Sequence, residues 1–229
     1  LRVIDFAMKV APIGVAALVF GAIALLGWDA IAALGKYVVV VLVALAFHLV
    51  VVYSLALKLI ARVNPLDFFR KIRGVMVTAF ATSSSNATLP TALKSAQDDL
   101  HLPRDISSFV LTVGATANQN GTALFEGITV LFLAQFFGVD LSMAEQLGVM
   151  GLSIVAGIGT AGVPGGSWPM IALILMRYEI PVEAVGIVIG VDRILDMSRT
   201  VLNVTGDITI ATCVSEMEKR SGATPSAAV

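Results

Sequence analysis

The chain alternates long apolar runs with short polar breaks, and the positions of those breaks predict its elements. Residues 10–27 form an apolar segment with Pro12 near its start, where proline is tolerated. Gly27 to Lys36 reads as a short turn. Residues 37–61 are apolar and long enough to span a bilayer. A loop carrying Arg62, Arg70, Lys71 and Arg73 follows, and the positive-inside rule places it on the cytoplasmic side. Residues 74–100 run apolar, turn polar from Thr82 to Thr88, and resume as a shorter half ending in Asp98 and Asp99. That pattern predicts a re-entrant helical hairpin with an irregular polar tip. Residues 104–138 are apolar but interrupted at Asn118-Gln119-Asn120-Gly121. Residues 142–178 repeat the hairpin pattern, with a tip from Gly159 to Ser167. Residues 181–217 form a polar span, and the small, polar tail from Ser221 is expected to be disordered.

The order is therefore hairpin, broken span, hairpin, polar span, an internal repeat. Irregular backbone at membrane depth survives only where it is buried in protein or lines a cavity. Paired interrupted segments in corresponding halves point to a transporter binding site. Composition agrees: 57% of the 229 residues are hydrophobic and 14% charged, where a soluble domain has about half and a quarter. The expected class is an all-α membrane protein. A net charge of −1 argues against a nucleic-acid partner. The single cysteine, Cys213, excludes an internal disulfide and reads as a packing residue. The chain opens at Leu1 inside an apolar stretch, so it is expected to be the C-terminal piece of a longer protein whose earlier segments supply further ligands.

The chemistry concentrates on the last helix. Asp192, Asp196, Arg199, Asn203 and Asp207 are spaced four, three, four and four apart, and at 100° per residue they share an arc of roughly 80°. Each such charge costs several kcal/mol at the bilayer centre unless it is paired or faces a cavity. Arg199 suits a bidentate pair with a carboxylate, and Asp196 suits an ammonium, so together they would hold both ends of an acidic amino acid. Asp207 would ligate a cation together with Asn203. Arg193 points about 100° away from Asp192 and reads as an interhelical or interfacial contact. The Ser-rich tip offers freed amide N–H groups and a helix N-terminus to a carboxylate. The amides at 118–120 supply hard oxygen ligands for Na⁺, and the glycines of the second tip suit a moving gate. Glu126, one turn beyond Thr122, reads either as a proton carrier or as a hydrogen-bonded structural carboxyl. His48 is read as structural.

Four linked motifs carry a resemblance: Ser83-Ser84-Ser85-Asn86-Ala87-Thr88-Leu89-Pro90, Asn118-Gln119-Asn120-Gly121-Thr122-Ala123-Leu124, Gly159-Thr160-Ala161-Gly162-Val163-Pro164-Gly165, and Asp192 to Thr200 continuing through Asn203-Val204-Thr205-Gly206-Asp207. In this order and spacing the chain resembles the dicarboxylate/amino acid:cation symporters, the glutamate/aspartate transporter family, over about residues 8–217. The resemblance implies an elevator-type transporter with two re-entrant hairpins, broken membrane helices and inverted repeats, usually a homotrimer. It places residues 1–35 in a scaffold and 36–220 in a transport domain (span 37–61, hairpin one 65–100, broken span 104–138, hairpin two 142–178, polar span 181–217), before a tail at 221–229. The substrate positions it implies are Ser85, Thr122, the backbone at Val163 and Ser167, Asp196 for the amino group, Arg199 for the side-chain carboxylate, Thr200 and Asn203. One sodium site matches at Gly114, Asn118, Asn203 and Asp207. The family's usual Asn-Met-Asp-Gly-Thr is altered here, with Gln119 for the methionine and Asn120 for the aspartate. Replacing a carboxylate by an amide should weaken Na⁺ there. Relatives also place an arginine at the position of Ser83 or of Met197, and this chain has it at neither. Glu126 matches a position implicated in proton coupling in some relatives.

The expectation is a multi-pass transporter of aspartate or glutamate in the cell (inner) membrane, in contact with lipid. It needs no cofactor beyond a coupling Na⁺ or H⁺, and its Na⁺ dependence is reduced or lost. A C4-dicarboxylate carrier is the first rival, disfavoured by Asp196, and a Na⁺-coupled aspartate symporter of ordinary type is another. A channel or receptor-like protein would bind aspartate without counterflow. No Ser/His pairing or metal-ligand cluster supports an enzyme.

Overall fold

The computed structural model describes residues 28–221 and scattered positions between 13 and 20. The apolar segment expected at 10–27 lies largely outside the described residues, as does the tail at 222–229. Every regular element described is helical.

Helix α1 (Trp28–Phe47) runs through a π-helical turn (His48–Val52) into α2 (Tyr53–Ala56) and a second π turn (Leu57–Ala61). Residues 28–36, expected as a turn, are helical instead. Asp29 sits in the first turn, where a negative charge is favourable, and good helix formers from Ala30 to Leu34 outweigh the lone Gly35. The expected boundary at 35/36 thus falls inside a helix. The stretch Ile31–Ala61 is long and apolar enough to cross a membrane. Its buried positions Tyr37, Val41, Leu45, Tyr53, Leu57 and Ala61 lie at multiples of four, with half-buried Leu49 filling the gap. In a pure α-helix such a row drifts about 40° per step, and the wider π turns take up the drift. The opposite side presents Val39, Val43, Phe47 and Val50, each about 60% exposed, a continuous apolar face of the kind that lipid covers.

Helix α3 (Pro65–Lys71) is capped by Asn64, whose side chain accepts from Leu66 N at 2.9 Å, with Pro65 in the first turn. Helices α4 (Arg73–Thr82) and α5 (Ser85–Asp98) pack as a pair joined at Ser83 and Ser84. Ser83 ends α4 in the left-handed region, and Ser84 caps α5. Helices α6 (Arg104–Ala117) and α7 (Asn120–Phe136) are separated at Asn118 and Gln119. Helices α8 (Met143–Gly159) and α9 (Trp168–Arg177) form the second pair, around the tip 160–167. A capping box of Ser142 and Glu145 starts α8.

After a 3₁₀ turn (Val182–Ala184), the expected single span is interrupted. Helix α10 (Val185–Ile189) stops at Gly190, and α11 (Asp192–Ser221) begins anew, so the row of charges starts at a helix N-terminus. The helix also runs on to Ser221, four residues past the expected end of the span at 217. α11 is the centre of the fold, packed against α1, α4, α5, α6 and α7. It contributes Leu195 and Leu202 to one apolar core, with Tyr37, Phe125 and Leu133. It contributes Val204, Ile208 and Ala211 to a second, with Leu57, Phe68, Ile72 and Leu111.

Candidate functional site

The polar row on α11 is buried: Asp192, Asp196, Arg199, Asn203 and Asp207 are each at most 8% exposed. Arg199 is held from several sides. Its Nε and Nη2 both lie 3.0 Å from Asp196 Oδ1, and Nη1 is 3.7 Å from Asp192 Oδ1. Its guanidinium carbon stands 4.3 Å from the centre of the Phe125 ring, within cation–π range. Nη1 makes no hydrogen bond among the described residues, and neither does the facing Asp192 Oδ1. A buried donor left over costs roughly 1–3 kcal/mol, and Nη1 is held to Asp192 by charge at 3.7 Å without a hydrogen bond.

The two tips meet over this row. Ser84 Oγ donates to Gly162 O at 2.7 Å, and Asn86 N donates to the same carbonyl at 3.3 Å. A Cβ on Gly162 would lie 2.7 Å from Ala115 O, so only glycine allows this approach. Gly165, at φ +74°, donates its N–H to Asp196 Oδ2 at 3.2 Å. Ser85, Thr122, Val163, Ser167, Asp196, Arg199, Thr200 and Asn203, the expected substrate positions, all line one small recess, with Ser83, Gln119 and Thr160. Its volume is about 10 Å³, close to the least that holds one water. Ser167 Oγ is buried there without a hydrogen-bond partner. The backbone of Val163 is engaged in the tip itself, its N–H with Ala161 O and its C=O with Gly166 N.

The expected cation residues separate into two groups. Asp207 Oδ1 accepts from Asn118 Nδ2 at 2.6 Å. Gly114 lies against the same carboxylate, where a Cβ would collide with Oδ1. The Asp207 carboxylate is the one hard, anionic oxygen donor of this group, the kind of ligand a hard cation takes. The Asn203 side chain does not face it: Oδ1 accepts from Gly121 N at 2.6 Å and Thr122 N at 3.3 Å, capping α7. Its Nδ2 donates to Gln119 Oε1 at 2.5 Å and Thr122 Oγ1 at 3.1 Å. Gln119 Nε2 donates to Ala115 O, and Asn120 Nδ2 to Tyr53 OH at 3.2 Å. Both altered positions therefore have side chains engaged with protein, which fits a hard cation poorly.

Glu126 is fully buried on α7 and does not line the central space. Its Oε1 accepts from Thr160 Oγ1 at 3.2 Å, and Oε2 has no partner among the described residues. Thr160, which does line the space, links the two. Phe125 beneath Arg199 and Tyr53 beside Asn120 escaped the sequence reading. Both look like ordinary core aromatics, and only the tertiary packing gives them polar neighbours.

Helical pairs with irregular tips closing over a buried charged row define a helical membrane protein of the transporter class. The chain belongs to the sodium:dicarboxylate symporter family, whose model matches residues 1–217. It is 38% identical over 217 residues to the proton/sodium-glutamate symport protein of Bacillus subtilis (strain 168), covering 95% of this chain and 50% of that one. It is 35% identical over 221 residues to excitatory amino acid transporter 3 of Oryctolagus cuniculus, covering 96% and 42%. It is 36% identical over 206 residues to neutral amino acid transporter B(0) of Rattus norvegicus, covering 89% and 37%. The chain thus spans half or less of the length of these relatives.

Proposed function

We propose that the protein is a secondary active transporter of acidic amino acids with altered cation coupling. It works by an elevator movement as a homotrimeric, multi-pass protein of the cell membrane. The observation that carries this reading is the Asp196–Arg199 pair, three residues apart on a buried helix and covered by both tips. An aspartate or glutamate zwitterion offers an ammonium to Asp196 and a side-chain carboxylate to Arg199. Its α-carboxylate meets the N-terminus of α5 at Ser85. Asp196 at present engages Arg199 and the Gly165 N–H, so substrate entry exchanges internal bonds for substrate bonds. The recess is too small for an amino acid, and its widening on entry is assigned to the glycine-rich second tip, which acts as the gate.

One cation is assigned to Asp207 with Asn118 and Gly114, without the Asn203 side chain, which is turned to α7. Gln119 and Asn120 no longer bind Na⁺, and Glu126 carries a proton instead. The name of the Bacillus subtilis relative couples both proton and sodium to glutamate, in line with a family in which coupling varies. Competition in reconstituted vesicles tests the substrate class. Unlabelled aspartate or glutamate should block labelled aspartate uptake, whereas succinate and neutral amino acids should not. Equal competition by succinate would move the protein to C4-dicarboxylates and overturn the role given to Asp196. Binding without counterflow would overturn transport altogether.

A further inference from the structure

The first turn of α11 carries a second arginine that the site above does not use. Arg193 is exposed, yet its Nη1 donates to Ser83 Oγ at 3.2 Å, across 110 positions of sequence. Ser83 is 2% exposed and lines the central space with Ser85, Asp196 and Arg199. It sits at φ +50°, ψ +31°, a left-handed conformation that non-glycine residues rarely adopt. Such strain persists where the surroundings hold it. The next two residues begin α5, and Ser84 also ties this tip to Gly162 of the other.

The two tips are thus fastened to the start of α11 in parallel. Hairpin two is held through Gly165 N to Asp196, and hairpin one through Ser83 Oγ to Arg193, three residues earlier. Among the described residues, the Arg193–Ser83 bond is the one side-chain hydrogen bond joining Ser83–Ser85 to α11. No carboxylate among them pairs with Arg193.

We infer that Arg193 is a positioning residue, a latch that fixes the hairpin-one tip on α11 and so sets Ser85 against Asp196 and Arg199. Because its guanidinium is exposed, its removal loosens the tip without opening the core. The tip readout below is independent of substrate. Only the uptake readout rests on the acidic amino acid reading.

The test compares Arg193→Ala, Ser83→Ala and the double variant in the intact protein. Hydrogen exchange of the tip amides, residues 83–88, should speed up about fivefold in each single variant and no further in the double, the non-additivity expected of a shared contact. Exchange in α7 should stay at the wild-type rate. In vesicles, KM for aspartate should rise about fivefold in both single variants with kcat within about twofold, as for a lost binding contact. Tip exchange unchanged in the single variants, unequal between them or additive in the double would overturn the latch. If the wild type takes up no aspartate, the substrate reading fails, and tip exchange still decides the role of Arg193.

Discussion

At the residue scale the site works by leaving chosen groups half-satisfied. Arg199 is hydrogen-bonded to Asp196 on one side and held to Asp192 by charge alone on the other, and Ser167 Oγ and Glu126 Oε2 are buried without hydrogen-bond partners among the described residues. Asp207 is the clearest single test. Asp207→Asn keeps the shape in the Gly114 cradle and an acceptor for Asn118, but removes the anion. Na⁺ stimulation of substrate binding should weaken at least about tenfold, or about 1.4 kcal/mol. A Na⁺ titration with an unchanged midpoint would contradict the assignment. Tyr53→Phe tests a structural claim instead. Tyr53 OH accepts from half-buried Asn120 and donates to Leu202 O at 3.1 Å, so its loss removes two hydrogen bonds that tie α2 to α7 and α11. The expected cost is about 1–3 kcal/mol, measured as a lower melting temperature in detergent. The row from Asp192 to Asp207 was legible in the sequence because a charge in an apolar helix has few explanations and the 3.6 period aligns all five positions. Phe125, Tyr53 and the Ser83–Arg193 contact were not, since an aromatic or a serine acquires its role from residues about 70 to 150 positions away.

At the scale of elements, the breaks matter more than the helices. Both tips and the Asn118–Gln119 break were readable because polar residues interrupt apolar runs where a plain span would have none. The stop at Gly190 was hidden, because apolar Ile189 and Val191 flank it and Asp192 reads as the first member of the charged row rather than as a helix start. The helical start of α1 at Trp28 was missed for the opposite reason: glycine and charge looked like a turn, while the alanines between them favoured the helix. Closure of the tips depends on Gly162. Gly162→Ala would push a methyl into Ala115 O and against Ser85, so the tips could not seat. Affinity for aspartate should fall at least about tenfold, with the fold retained because the clash can be relieved by opening the gate. Wild-type affinity in Gly162→Ala would show that tip contact plays no part in binding.

At the scale of the molecule, α11 threads between the other helices and carries both proposed sites, substrate at Asp196 and Arg199 and cation at Asp207. Two sites on one rigid helix are coupled by whatever moves that helix or the tips above it. The outer faces of α1 and α8 are apolar, of the kind that lipid covers, with Ile154 60% and Val155 65% exposed on α8. As proposed, the protein carries acidic amino acids with weakened Na⁺ dependence. The most direct test is labelled aspartate uptake by the intact protein in proteoliposomes, with Na⁺ outside or absent, and with or without an inward proton gradient. Uptake should persist without Na⁺ and accelerate with the proton gradient, and Glu126→Gln should abolish that acceleration. Strict Na⁺ dependence with no response to the proton gradient would contradict the account.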